Sequence, residues 1–178
     1  MRKDIDHILY DEATIASKVR ELGALITKDY EGKEPFLVGV LKGCFVFMSD
    51  LSKEIDLYCD IDFMAVSSYG SGTTTTGAVQ IKKDLSRDIE GRDVIIIEDI
   101  LDSGVTLSYL TKYLENRKPA SIKICTLMDK PARRQTDIKA DYVGFVCPDE
   151  FVVGYGLDYD EKYRNLPFIG VLKPEIYE

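Results

Sequence analysis

The sequence predicts an α/β fold, a mainly parallel twisted sheet with helices on both faces, and three observations carry that expectation. β-branched runs alternate with helix-spaced apolar residues along most of the chain, which implies parallel strands joined by helical crossovers. Val94-Ile95-Ile96-Ile97 is apolar without alternation, as a strand covered on both sides must be. The length of 178 residues and 45% apolar content suit one domain, 1–178, with a sizeable core.

The elements follow in order. Asp11 to Tyr30 has Ile15, Val19, Leu22 and Ile26 at helical spacing, and Glu31-Gly32-Lys33-Glu34-Pro35 ends it. Phe36 to Leu41 is a short buried strand, and the helix after Lys42-Gly43 is expected to turn Phe45, Met48, Leu51 and Ile55 inward. Ile61 to Val66 is a strand, whereas Ser67 to Gly77 offers almost nothing to bury and reads as a disordered connection or a moving lid, the lid spanning 67–83. Val79 to Lys82 resumes a strand. Val94 to Ile97 ends at Glu98 and Asp99, and the following helix carries Leu107, Leu110 and Leu114 on one face. Ile122 to Met128, Asp141 to Cys147, the short Val152-Val153 and a last edge strand, Phe168 to Leu172, complete the set. No internal repeat or second-domain linker is visible.

Composition removes several classes of function. A net charge of −8 argues against coating nucleic acid, which takes a basic surface. No apolar run reaches the roughly 20 residues that span a bilayer, and Met1 to His7 lacks the apolar stretch of a secretion signal. Cys44, Cys59, Cys125 and Cys147 are far apart without zinc-type pairing, so they read as reduced thiols of a cytoplasmic protein. His7 is the single histidine and lies in an N-terminus expected to be loose. A general base is therefore expected to be a carboxylate, and a metal to be magnesium held by oxygens.

The segment from Val94 to Thr106 concentrates the chemistry. A buried strand, then Glu98, Asp99 and Asp102, then a Ser103-Gly104-Val105-Thr106 turn opening a helix places unpaired N–H groups and the positive end of a helix dipole beside acids. Acids would repel a bare phosphate. They make sense if the ligand also brings sugar hydroxyls and a divalent cation, as a phosphorylated sugar carrying a metal-bound pyrophosphate would. In open α/β sheets ligands bind beyond the carboxyl ends of the strands, so Lys42, Glu98 to Thr106, Lys130 and Glu150 to Val152 are expected to gather on one edge.

The motifs LKGC (41–44), SSYGSG (67–72), VIIIEDILDSGVT (94–106), LMDKPARR (127–134) and PDEFVVGYGLDYDEKYRNLP (148–167), in that order, resemble those of bacterial-type hypoxanthine-guanine phosphoribosyltransferases. The resemblance implies the type I phosphoribosyltransferase fold, with a small hood built from N- and C-terminal segments. It also implies transfer of a phosphoribosyl group from phosphoribosyl pyrophosphate to hypoxanthine or guanine, with magnesium, by homodimers or homotetramers. Glu98 and Asp99 resemble the acidic pair that holds the ribose hydroxyls and metal, and Asp158 a second metal ligand beside the base. Asp102, Ser103, Gly104, Val105 and Thr106 resemble the loop that wraps the 5′-phosphate, and Asp102 the acceptor of the purine ring proton, a step a carboxylate can perform. Lys130 resembles the donor to the 6-oxo group, Phe151 the residue stacked on the base, and Val152 the backbone that meets its edge. Lys42, Gly43 and Arg164 resemble the pyrophosphate contacts, the turn at the first two being one that includes an unusual cis peptide in the family, and Ser68 and Tyr69 the start of the lid. Val105 and Glu150 stand where some relatives carry Lys. A preference for xanthine, or an RNA-binding regulator on the same fold, are the rival readings; Asp102 and the acidic composition speak against the second.

Overall fold

The architecture comes from a computed structural model that describes residues 1–68 and 79–177. In chain order the elements are β1 (Ile5–Tyr10), α1 (Glu12–Asp29), β2 (Phe36–Leu41), α2 (Phe45–Glu54), β3 (Asp60–Ser68), β4 (Val79–Lys83), β5 (Asp93–Leu101), α3 (Val105–Glu115), β6 (Ser121–Asp129), β7 (Tyr142–Val146), β8 (Val152–Val153), β9 (Ile169–Leu172) and the short α4 (Pro174–Tyr177). Six strands form the main sheet in the order β4-β3-β2-β5-β6-β7. Every pairing in it is parallel except β3 with β4.

Strand alternation builds the two cores. On β5, Ile95 and Ile97 pack with Ile15, Val19, Leu22 and Ile26 of α1 and Phe47, Met48 and Leu51 of α2. Val94 and Ile96 face the other way, against Leu107, Leu110 and Leu114 of α3. Helices therefore cover both faces, as the alternating apolar pattern implied. Asp11 starts α1 by accepting from the Thr14 amide at 2.8 Å, so the first turn is capped by a side chain. One expected inward residue is misplaced: Phe45 is 45% exposed and Phe47 takes the buried position. Phe45 is the first residue of α2, and the buried stripe runs through 44, 47, 48 and 51 instead.

A second sheet, in the order β1-β9-β8 and antiparallel throughout, forms a hood from the two ends of the chain. It corrects two expectations. The N-terminus is not loose: His7 lies within β1 opposite Val171, and its ring meets only the Asp6 carboxylate, at 2.8 Å on an exposed surface. β9 is not an edge strand but the middle of this sheet, its four residues all buried. Six residues alternating weakly between Ile5 and Tyr10 give too little periodicity for β1 to be read from sequence.

The antiparallel β3–β4 pair, with Ser68 opposite Val79, is what remains of the 67–83 segment among the described residues. Asp62 of β3 ties β4 and the segment after it to β3. Its carboxylate accepts from the amides of Phe63 (2.7 Å) and Ser86 (2.6 Å) and from Lys83 Nζ (3.1 Å). Burial alone would raise its pKa, but the two amides and Lys83 outweigh that and hold it below the ordinary carboxylate range. No helix among the described residues is long and apolar enough to cross a membrane.

A depressed folded-state pKa adds stability above the unfolded pKa, and the gain is lost as pH falls through the folded one. Asp62→Asn is accordingly expected to lower stability by about 1–3 kcal/mol at pH 7. The deficit against the parent should shrink below pH 4, as read by urea denaturation across pH. A constant deficit would show that packing, not charge, is what Asp62 supplies.

Candidate active site

The acids are carried by β5 itself. Its pairing with β6 continues through Glu98↔Thr126, Ile100↔Met128 and Leu101↔Asp129, so Glu98 and Asp99 sit inside the strand rather than just past its end. The ladder costs them water. The Glu98 Oε2 atom is sealed off with no hydrogen-bond partner among the described residues, and burial together with the Asp99 charge raises its pKa well above the ordinary value. Burial likewise pushes Asp99 up to about 6, against the lowering pull of the Ile100 amide, which donates to Oδ1 at 2.8 Å. Asp99 leaves no room beside it: a Cβ on Gly43 would fall on its carboxylate.

Beyond Leu101 the chain turns at Gly104, whose φ of +79 lies in the left-handed region. Gly104 is the N-cap of α3, and among the described residues no side chain caps the helix. The closest approach is a long 3.4 Å contact from the Val105 amide to Ser103 Oγ. Neither Asp102 nor Ser103 serves as an ordinary helix cap, and the first-turn amides stay open to an anion. Space requires glycine as well, since an added Cβ would lie 2.6 Å from Ile138 Cγ2. Asp102 is exposed, while Ser103, Val105 and Thr106 are partly buried.

A cleft of about 230 Å³ opens beside this loop, lined by Asp99, Ile100, Asp102, Lys130, Glu150, Phe151, Val152, Leu157 and Asp158. Lys130 is only 7% exposed. Its ammonium donates to the Glu150 carbonyl at 2.8 Å and lies 3.3 Å from Asp149, so one of its three protons stays free. The Phe151 ring stacks on Tyr177 of α4, with centroids 4.8 Å apart, and meets Tyr159 edge-on at 5.5 Å. Asp158 pairs with Arg164 at 2.8 Å, Arg164 lies 3.5 Å from Glu161, and Glu161 pairs with Lys42 at 2.8 Å. Arg164 also donates to the Gly156 carbonyl at 2.8 Å, and its Nε is buried without a partner among the described residues. The peptide between Leu41 and Lys42 is cis.

Elements far apart in sequence thus meet at one place. Asp99, Asp102, Lys130, Phe151, Val152 and Asp158 share the cleft, with Lys42, Gly43 and Arg164 linked to it through Asp99 and Asp158. Glu98 does not line it, and among the described residues no group of three or more His, Cys, Asp or Glu side chains is arranged to hold a metal. Tyr69 and the Ser68 side chain lie outside the described residues. Ile100 and Glu150 fall within segments expected at this edge, whereas Leu157 alone among the lining residues has neither an expected place nor an expected role; it adjoins Asp158, and its apolar character makes it resemble core.

An open parallel sheet whose central strand delivers acids to an uncapped helix N-terminus defines a phosphoribosyltransferase-type site. The chain belongs to that family: residues 7–160 match the phosphoribosyl transferase domain. It is 59% identical over its whole length to the hypoxanthine-guanine phosphoribosyltransferase of Bacillus subtilis (strain 168), covering 99% of that protein. It is also 59% identical, over 99% of its length, to the bifunctional protein TilS/HprT of Listeria monocytogenes serotype 4b (strain F2365), of which it spans 27%. The crystal structure of a hypoxanthine phosphoribosyltransferase from Staphylococcus aureus superposes with a TM-score of 0.97 at 58% identity, covering 100% of this chain and 97% of that one.

If Gly43 is small because of Asp99, Gly43→Ala is expected to cost about 1–3 kcal/mol, and much less in an Asp99→Ala background. Urea denaturation of the four proteins in the cycle measures this. Equal costs in both backgrounds would place the constraint elsewhere.

Proposed function

We propose that this protein transfers the 5-phosphoribosyl group from phosphoribosyl pyrophosphate to hypoxanthine or guanine, giving IMP or GMP and pyrophosphate in purine salvage. The observation that carries the reading is the cleft itself, in which Asp102 and Lys130 stand together with Phe151, Val152 and Leu157 directly beside the open amides of α3. The full-length likeness to proteins of that name supports it.

In this reading the 5′-phosphate sits on the amides from Asp102 to Thr106 with the Ser103 and Thr106 hydroxyls, which fixes the ribose against β5. The base lies against Phe151 and Leu157. Lys130 is a donor-only group, so it pairs with a 6-oxo substituent and meets a 6-amino group unfavourably. Asp102 accepts the proton from the purine ring nitrogen as that nitrogen bonds to the anomeric carbon and the carbon–oxygen bond to pyrophosphate breaks. Positive charge builds on the ribose in between, and the carboxylates at the cleft stabilise it. Lys42, Gly43 and Arg164 receive the departing pyrophosphate, Arg164 through its planar fork of donors.

The donors also fit magnesium. Asp99 and Asp158 offer hard oxygens at the cleft, and the raised pKa of Asp99 and the unpartnered Glu98 oxygen mark a place short of positive charge. A magnesium ion carried on the pyrophosphate would neutralise charge on the leaving group. One or two protein carboxylates with substrate oxygens suffice for that ion, which matches a site without a closed set of protein ligands. The four cysteines, all free thiols, support a cytoplasmic setting, and homo-oligomeric assembly is taken from the family.

The test is a spectrophotometric assay of hypoxanthine, guanine, xanthine and adenine with phosphoribosyl pyrophosphate, with and without magnesium. The first two bases should turn over and only with the metal; xanthine as the best substrate would replace the reading. Asp102→Ala is expected to bind phosphoribosyl pyrophosphate yet lose about a hundredfold or more in turnover, and unchanged turnover would remove its role. Lys130→Ala should raise KM for the 6-oxo bases by about tenfold or more, with little change in KM for phosphoribosyl pyrophosphate.

A further inference from the structure

Arg134 lies outside the cleft, in the connection between β6 and β7, and the roles assigned above do not use it. Its side chain is 16% exposed, and its guanidinium is spent on four acceptors. Nε donates to the Asp102 carbonyl at 2.9 Å, and Nη2 to the Leu101 carbonyl at 3.2 Å and to the Asp129 carboxylate. Nη1 donates to the Ile138 carbonyl at 2.7 Å. Two backbone amides of the same segment complete the pattern: Lys130 N donates to the Leu101 carbonyl at 2.9 Å and Gln135 N to the Ser103 carbonyl at 2.9 Å.

Three successive carbonyls, those of Leu101, Asp102 and Ser103, are thus all tied to residues 130–135. In a trans peptide the C=O and the N–H that follows it point in opposite directions. Holding these three carbonyls on the 130–135 side therefore turns the amides of Asp102, Ser103 and Gly104 the other way, into the loop. None of those three amides donates to any acceptor among the described residues. Left to itself such a loop would rotate its peptides to satisfy them with nearby oxygens or water. The guanidinium prevents this because its five donors stand in a fixed planar fork and its charge survives burial. The Asp129 carboxylate orients that fork.

We propose that Arg134 is a positioning residue of the phosphoribosyl-phosphate loop: it holds the loop carbonyls outward so that the amides of 102–104 face the 5′-phosphate before substrate arrives. The inference rests on the reading of 102–106 as the phosphate loop. It assigns Arg134 to one substrate, phosphoribosyl pyrophosphate, and not to the base.

The test is steady-state kinetics on the full chain with Arg134→Lys, which keeps the charge but not the fork, and with Asp129→Asn, which keeps Arg134 but frees its head group. Thr106→Ala serves as a probe of the loop itself. Arg134→Lys is expected to raise KM for phosphoribosyl pyrophosphate about tenfold or more and to weaken IMP similarly. KM for hypoxanthine should stay within about twofold, with the circular-dichroism melting curve close to the parent's. Asp129→Asn should move the same constants in the same direction by a smaller factor. An unchanged KM for phosphoribosyl pyrophosphate in Arg134→Lys, while Thr106→Ala raises it, overturns the proposal and leaves the loop reading standing. Parallel losses for both substrates, with a lowered melting temperature, would make Arg134 a general structural residue and also overturn it. Should Thr106→Ala leave phosphoribosyl pyrophosphate untouched as well, the loop reading itself falls.

Discussion

The structure depends on how β5 ends. One strand, buried on both faces at the centre of the sheet, delivers two carboxylates and then passes within three residues into a helix whose first amides no side chain caps. Acid and anion cradle are adjacent because they belong to one continuous stretch of backbone, and that stretch is held by parallel ladders to β2 and β6. A sugar carrying both a phosphate and hydroxyls can be gripped from both ends at once by this one stretch.

The electrostatics follow from that placement. Keeping the ladder dry raises both acid pKa values, so the free protein holds carboxyl groups that gain from meeting a cation. The cations of the site are meanwhile occupied: Lys130 by Glu150 and Asp149, Arg164 by Asp158 and Lys42 by Glu161. The exposed Lys42 pair is worth little and yields easily, whereas Lys130 is fixed by a carbonyl, and on the proposed function its remaining proton is the one that meets the base.

Much of this was legible in the residues. Val94 to Thr106 announced both the central strand and the cradle, since an unbroken β-branched run and a small-residue turn each have few structural solutions. Lys130, Phe151 and Val152 could be placed at the same edge because they follow strands, and parallel strands end together. What could not be read depended on packing between distant elements. β1 has too weak a pattern to declare itself and exists because β9 pairs with it. β9, with its apolar run, looked the same as an edge or a central strand. Phe45 and Phe47 differ only in helical phase, which the docking of α2 decides. Arg134 was part of a quoted motif, but nothing in a sequence says that a guanidinium turns back to grip carbonyls 32 and 33 residues earlier.

The central claim is that the backbone from Asp102 to Thr106 receives a phosphate. Titrating the ¹⁵N-labelled protein with IMP, and separately with inosine, tests it most directly. The account expects the largest IMP-specific amide shifts at Asp102, Ser103, Gly104, Val105 and Thr106, absent with the nucleoside. IMP-specific shifts concentrated elsewhere, with these five amides unmoved, would contradict it.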